Sequence, residues 1–300
     1  MVAILGAGSL GRLWAASLPP GRAAFVPRPG VPSDSIRYQF QPVTGDAFPV
    51  EIPPLDDEQS PDLLLVTTKA GDTLDALRAT LSRIPASTPI VLFQNGLGSQ
   101  QAVADTWPER AIFAAVTTEG ANRPAHDIAV HAGQGETWVG PLTPAAETQL
   151  SKVIRPLAES GLTLHAEADV LPRLWQKLVI NAGINPFTAL LDCPNGDILN
   201  APLFRQWIDP LCQEIATLMV ASGQGLTSPE QLRQNIEAVA RKTAANMSSM
   251  RADVRAGRIT EIGYINGYLV NLGQTLNIAT PVNQMLTERV QQLSDSQTTC

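Results

Sequence analysis

Residues 2–5 read VAIL, and the chain passes at once into GAGSLG and then RLWAASL. An aliphatic run, a glycine turn and a helical segment in immediate succession spell strand, turn and helix, the opening unit of a nucleotide-binding sheet. Each glycine has its own task. Gly6 permits the tight reversal, Gly8 lets the backbone approach a pyrophosphate, and Gly11 allows the helix to close on the strand. Amides at the helix start then face phosphate oxygens with a favourable dipole. Gly6, Ala7, Gly8, Ser9, Leu10 and Gly11 are therefore the candidate dinucleotide-binding loop.

The second strand, around AAFVPR, ends in Arg28. An NAD enzyme usually places an acid here on the ribose hydroxyls, whereas an arginine suits a 2′-phosphate. No acid follows until Asp34, so the pattern favours NADP(H). The competing assignment is an ordinary loop arginine, like nearby Arg22. Three later apolar runs end in polar residues: DLLLVTTKA in Thr67, Thr68 and Lys69, TPIVLFQNG in Gln94 and Asn95, and AIFAAVTTEGA in Thr117, Thr118 and Glu119. Continuous apolar strands belong in parallel sheets covered on both faces, with ligands beyond their carboxyl ends. Lys69 and Asn95 are thus either cofactor contacts or simple polar loop residues. LDALRATLSRI and GSQQAVADTW supply intervening helices. DIAVHAGQGETWVG reads as a hairpin around a glycine turn, an antiparallel addition at the sheet's edge.

A chain of 300 residues is roughly twice a typical domain. We expect an NADP-binding Rossmann-type α/β domain over 1–167 and an all-α domain over 168–300. With 44% hydrophobic and 16% charged residues, both can bury sizeable cores. The net charge of −7 disfavours nucleic acid or an anionic membrane as the main partner. No apolar run approaches ~18 residues, so no membrane span is expected. The first residues lack the basic and apolar regions of a secretory leader, and a cytoplasmic protein is expected. Cys193, Cys212 and Cys300 show no close pairing, which fits inert thiols in a reducing compartment. The histidines are His126, His131 and His165. No metal is expected, and proton transfer in the second half must use Lys, Tyr, Cys or a carboxylate.

In that half, periodicity predicts helices at 168–192, 197–222, 229–250, 260–276 and 281–294. The first contains WQKLVINAGINPF, with Lys177, Asn181 and Asn185 four residues apart among Leu178, Val179, Ile180, Ala182 and Ile184. At 3.6 residues per turn these three stack ~6 Å apart within a sector of roughly 80°. The line is either an exposed edge or a polar stripe set into an apolar helix. Pro186 removes a backbone donor and predicts a kink just after Asn185, with or without a functional purpose. Ser228 and Pro229 form a helix start. Glu261 falls in the first turn of the 260–276 helix, where it either serves the site or simply complements the dipole. Ser249 and Asn246, near the end of the preceding helix, can face the same cleft.

GAGSLG, TTKA, FQNGLG, WQKLVINAGINPFTAL and NMSSMRADVRAGRITEIGYING, in this order along nearly the whole chain, resemble the ketopantoate reductases. The last two motifs carry most of the specificity, since a bare Lys-x-x-x-Asn also occurs in the wider β-hydroxyacid dehydrogenase group. The resemblance implies a Rossmann domain joined to a helical domain like the C-terminal domain of 6-phosphogluconate dehydrogenase, with substrate bound in the cleft between them. It implies NADPH-dependent reduction of 2-dehydropantoate to pantoate, a step in pantothenate synthesis. Lys177 would donate the proton, and Asn181, Asn185, Asn195 and Ser249 would hold the substrate's hydroxyl and carboxylate. Lys69, Asn95 and Ala121 would contact the cofactor, with Asn95 also near the substrate. Glu261 would sit beside the nicotinamide ribose and Lys177. Gly263 stands where the family commonly shows an aspartate, and Glu119 where some members carry a histidine; both bear on packing or substrate fit more than on the chemistry.

The chemistry agrees with the residues. Hydride addition builds negative charge on the ketone oxygen, which needs a cationic donor within reach. A partly buried ammonium supplies both charge and proton. A reductase of another small 2-oxo or 3-hydroxy acid shares these features, whereas a non-catalytic NADP(H) sensor has no need of Lys177. Monomer and homodimer are both compatible with the apolar C-terminal helices.

Overall fold

The computed structural model describes residues 1–28, 30 and 34–298, with side chains to residue 293. It packs as two units, one of Met1–Gln94 and Ser99–Arg173 and the other of Asn95–Gly98 and Leu174–Cys300. The first contains, in chain order, β1 (Val2–Leu5), α1 (Ser9–Ser17), β2 (Ala23–Phe25), β3 (Ile36–Gln41), β4 (Phe48–Ile52), β5 (Leu63–Val66), α2 (Ala70–Thr80), β6 (Ile90–Leu92) and α3 (Ser99–Thr106). It continues through β7 (Ile112–Thr117), β8 (Gly120–Ala125), β9 (Ile128–Gly133), β10 (Thr137–Pro141), α4 (Pro144–Glu147), α5 (Leu150–Ala158) and β11 (Leu164–Ala166).

The main sheet has the order β11-β10-β7-β6-β5-β1-β2, parallel from β7 to β2. Its apolar strands are buried on both sides. Val2, Ile4, Leu63 and Leu65 meet Leu13 and Trp14 of α1 and Tyr38 and Phe40 of β3, while Ala3, Leu5, Leu64 and Val66 meet Leu77 of α2 and Val103 of α3. Full burial of such a side chain contributes ~1.5–3 kcal/mol, which explains strands of only four residues with no polar face. The unit is Rossmann-type.

A second sheet, β4-β3-β9-β8, was not expected from the sequence. Its strands β8 and β9 lie against α1. This overturns the hairpin expected over 127–140: β9 pairs with β8 and β3, whereas β10 pairs with β7 and β11. β10 is antiparallel to β7 but interior, with β11 at the edge. The two strands separate because the connector between them is held elsewhere. The buried Glu119 carboxylate accepts Gly135 N at 2.9 Å and hydrogen-bonds His131 Nε2 at 2.7 Å, and a side chain at Gly135 would collide with Thr118.

The helical unit contains most of α6 (Leu171–Leu191), then α7 (Pro202–Ala221), α8 (Pro229–Lys242), α9 (Ser249–Arg255), α10 (Asn266–Leu276) and α11 (Pro281–Thr298). The helix expected over 229–250 is two helices. After α8 the backbone is diverted to accept Asn195 N at Asn246 O and Gly196 N at Ala244 O, and Ser248 then caps α9 through Arg251 N at 3.1 Å. The helix expected over 260–276 begins at Asn266, preceded by a 3-10 turn over Ile262–Tyr264.

α6 runs through Pro186, which cannot donate to the carbonyl of Ala182. Asn266 Nδ2 takes that role at 3.3 Å and also donates to Asn283 Oδ1 at 3.0 Å. Asn283 Nδ2 donates to Glu214 Oε2 at 2.7 Å, and the Glu214 carboxylate accepts Val282 N and Asn283 N at the start of α11. One helix thus supplies the N-terminal cap of another. At its far end α6 stops at Asp192 in the left-handed region (φ 46°), where Arg255 and Arg251 each donate to the carboxylate at 2.8 Å and hold its pKa down to about 2.

Cys212 is buried, its thiol pushed up to about 12 by that burial, and Cys193 is half-buried; Cys300 lies outside the described residues. Among the described residues no helix is long and apolar enough to cross a membrane.

Candidate active site

In the first unit the glycine loop has the shape its sequence requires. Gly6 sits at φ 112°, and a side chain on Gly11 would lie 2.0 Å from Gly6 O and 2.7 Å from Thr67 Oγ1. Thr67 Oγ1 donates to Gly6 O at 2.7 Å, tying the end of β5 to the turn. Around Gly8 the space is open for 4 Å from where a Cβ would stand. Ala7, Ser9 and Leu10 are half-buried, and α1 carries no acid in its first turn. A closed turn, an open backbone face and an unneutralised helix start fit a pyrophosphate. Arg28 is exposed three residues beyond β2, Lys69 is half-buried just before α2, and Ala121 lies on β8 opposite His131.

The helical unit gathers the second set. Lys177 and Asn181 are half-buried and Asn185 is buried along α6. The Lys177 residue keeps some exposed surface, but its ammonium is enclosed. Burial brings its pKa down to about 8, while the charge of Glu261 works to hold it up. Glu261 stands at the start of the 3-10 turn, where its side chain makes no capping hydrogen bond; its Oε2 accepts Asn95 Nδ2 at 2.9 Å. Dipole complementation in a first α-helical turn therefore does not account for it.

Asn95 reaches Glu261 because residues 95–98 pack with this unit. Leu97 N donates to Tyr264 O at 2.8 Å, and Gly96, at φ 80°, leaves no room for a Cβ against the same carbonyl. The NGLG motif is thus a docking turn as well as the source of Asn95.

The remaining residues are distributed more widely. Asn195 is buried, with Nδ2 donating to Thr243 Oγ1 at 3.0 Å and Oδ1 left without a partner. Ser249 is exposed as the first residue of α9, while its neighbour Ser248 is buried and shares a 2.7 Å hydrogen bond with Thr188 of α6. Asn246 is exposed, and its carbonyl accepts Asn195 N. Sequence reading missed Ser248, Arg12 and Arg123. Both arginines donate to Ala7 O, Arg12 through Nε at 3.2 Å and Arg123 through Nη1 at 3.3 Å. Only the unforeseen second sheet brings Arg123 to the turn.

An enclosed ammonium near neutrality, a fixed carboxylate beside it and neutral amides along one helix line suit protonation of a carbonyl oxygen on a small polar substrate. Comparison with known proteins narrows the class. Residues 2–144 match the family described as ketopantoate reductase PanE/ApbA, and residues 169–294 match its C-terminal counterpart. The 2-dehydropantoate 2-reductase of Shigella flexneri is 33% identical over 293 residues, covering 96% of this chain and 93% of the relative. That of Vibrio cholerae serotype O1 is also 33% identical, over 98% of both chains. The solved ternary structure of D-mandelate dehydrogenase with NADH and anilino(oxo)acetate has a TM-score of 0.87 over 99% of each chain; at 22% identity this is a likeness of fold. Family models match both halves of the chain, and relatives a third identical match it over nearly its whole length: this oxidoreductase belongs to the ketopantoate reductase family.

Proposed function

We propose that the chain catalyses NADPH-dependent reduction of 2-dehydropantoate to (R)-pantoate in pantothenate synthesis, in the cytoplasm. The observation that carries this reading is Lys177, an enclosed ammonium with a pKa near 8 beside Glu261. The names of the full-length relatives support the substrate. The backbone of Gly6–Gly11 holds the pyrophosphate, Arg28 the 2′-phosphate, and Lys69, Asn95, Ala121 and Glu261 make further cofactor contacts. The chemistry supplied by reduced nicotinamide, once bound, is a hydride for the ketone carbon. As charge builds on the ketone oxygen, Lys177 donates a hydrogen bond and then its Nζ proton. Glu261, fixed by Asn95, orients the ammonium and favours its charged form. Asn95, Asn181, Asn185, Asn195 and Ser249 bind the substrate's hydroxyl and carboxylate.

The reading is tested by loss of NADPH absorbance on adding 2-dehydropantoate, with NADH and other 2-oxo acids in parallel. NADPH-selective turnover is expected. Faster turnover of another oxo acid, or an NADH preference, overturns the assignment. Arg28→Ala is expected to raise the KM for NADPH about tenfold, one charge-assisted hydrogen bond's worth, without changing that for NADH.

The pH dependence follows from the donor's charge. Reduction needs Lys177 protonated, so kcat/KM is expected to be level below the lysine's pKa and to fall as pH rises through about 8. Glu261→Gln removes the charge that favours the ammonium, so the fall moves to lower pH. A profile that instead rises through this range would remove Lys177 as the acid.

A further inference from the structure

The dinucleotide reading leaves two cations at the glycine turn unused. Arg12 is buried in α1; its Nε donates to Ala7 O, its Nη1 donates to His126 O at 2.7 Å, and its guanidinium stacks over Tyr38, 4.9 Å from the ring centre. It ties the turn to the β8–β9 hairpin. Arg123, on β8, is exposed and reaches the same Ala7 carbonyl with one nitrogen at 3.3 Å. Burial lowers the Arg12 pKa first, and the like charge of Arg123 lowers it further, against weaker help from Tyr38 and Asp127. Two guanidiniums therefore converge on one carbonyl at a helix start that has no acid in its first turn. Bringing like charges together in this way is unfavourable unless an anion joins them.

We infer that Arg123 is a pyrophosphate ligand of the bound dinucleotide. The inference rests on the reading of Gly6–Gly11 as the dinucleotide loop. Ala7 lies between Gly6 and Gly8, where the backbone approaches the pyrophosphate, whereas 2′-phosphate recognition belongs beyond β2, where Arg28 stands. A planar guanidinium matches phosphate oxygens in pairs, and exchanging a long bond to a neutral carbonyl for one to an anionic phosphate oxygen is favourable. Arg12 positions the turn, while Arg123 makes the contact.

The test is titration of NADPH and of NADH into the full-length wild type, Arg123→Gln and Arg123→Lys, followed by cofactor fluorescence. Circular dichroism and thermal melts show that each variant is folded, as expected for an exposed position. Arg123→Gln is expected to weaken both dinucleotides alike by about tenfold or more, as for a lost charge-assisted bond. Arg123→Lys should recover only part of this, because it keeps the charge without the fork. Unchanged affinity in Arg123→Gln overturns the inference and leaves the dinucleotide loop standing. Weakening of NADPH alone also overturns it, since the contact would then be to the 2′-phosphate. A folded wild type that binds neither dinucleotide removes the inference together with the reading beneath it.

Discussion

Lys177→Ala is expected to lower kcat for ketone reduction by about 10²–10⁴-fold, the range for loss of a general acid. The alanine variant retains the amides of α6 and the glycine loop, so KM for either substrate should change far less. That split is the signature of an interaction made mainly as charge develops on the oxygen. Lys177→Arg is expected to be nearly as slow, because a guanidinium keeps the charge but holds its proton at any working pH. A small primary amine added to the alanine variant should restore part of the rate if the deficit lies in the proton donor. An alanine variant with wild-type kcat would take the lysine out of the chemistry and leave Glu261 without a partner in it.

The second large effect is on stability. Glu214→Ala removes the acceptor for Val282 N, Asn283 N and Asn283 Nδ2, all buried where α11 begins. Buried donors left unsatisfied cost ~1–3 kcal/mol each, moderated by relaxation, so a loss of about 3 kcal/mol is expected. In a unit of this size that corresponds to roughly 6–12 °C in Tm. Glu214→Gln is expected to fall in between, since its amide keeps one acceptor but opposes the Asn283 Nδ2 donor with another. Burial raises the Glu214 pKa while these donors lower it, so part of the native cap's benefit is spent on desolvation. A melt unchanged by the alanine substitution would mean that α11 is held by its apolar face alone.

What could be read in the sequence was local or periodic. VAIL with GAGSLG marked the first strand and turn because the glycines act within six residues of one another. The apolar strands declared a doubly covered sheet, and the spacing of Lys177, Asn181 and Asn185 marked one line of α6. What escaped depended on distant partners. IRYQFQ and FPVEI pair with each other at the centre of a proline- and glycine-rich stretch, and the second sheet forms only when β9 joins β3. The glycines of HAGQGE marked a break between strands correctly, but Glu119 and Thr118, in the connector between β7 and β8, decide where the chain goes from there. Periodicity puts Glu261 in the first turn of a helix over 260–276, because no local feature announces the 3-10 turn over Ile262–Tyr264, whose Tyr264 carbonyl accepts Leu97 N from the docked 95–98 segment. Ser248 and Ser249 are chemically equivalent on paper. Only the cap geometry of α9 turns the first inward.

Residues 95–98 emerge in the middle of the first unit's sequence yet are packed with the second. The helical unit is therefore discontinuous, and no single cut near residue 173 divides the chain into two complete pieces. A fragment beginning at Leu174 would carry Lys177 and Glu261 but not the amide that fixes the carboxylate, nor the glycine that fits beneath Tyr264. Exchange of whole domains between relatives faces the same obstacle: a transplanted helical half would have to find its missing four residues in the host's sheet half. The seam between modules in this protein is a loop traded across it, and engineering that respects the seam must move NGLG along with the helices.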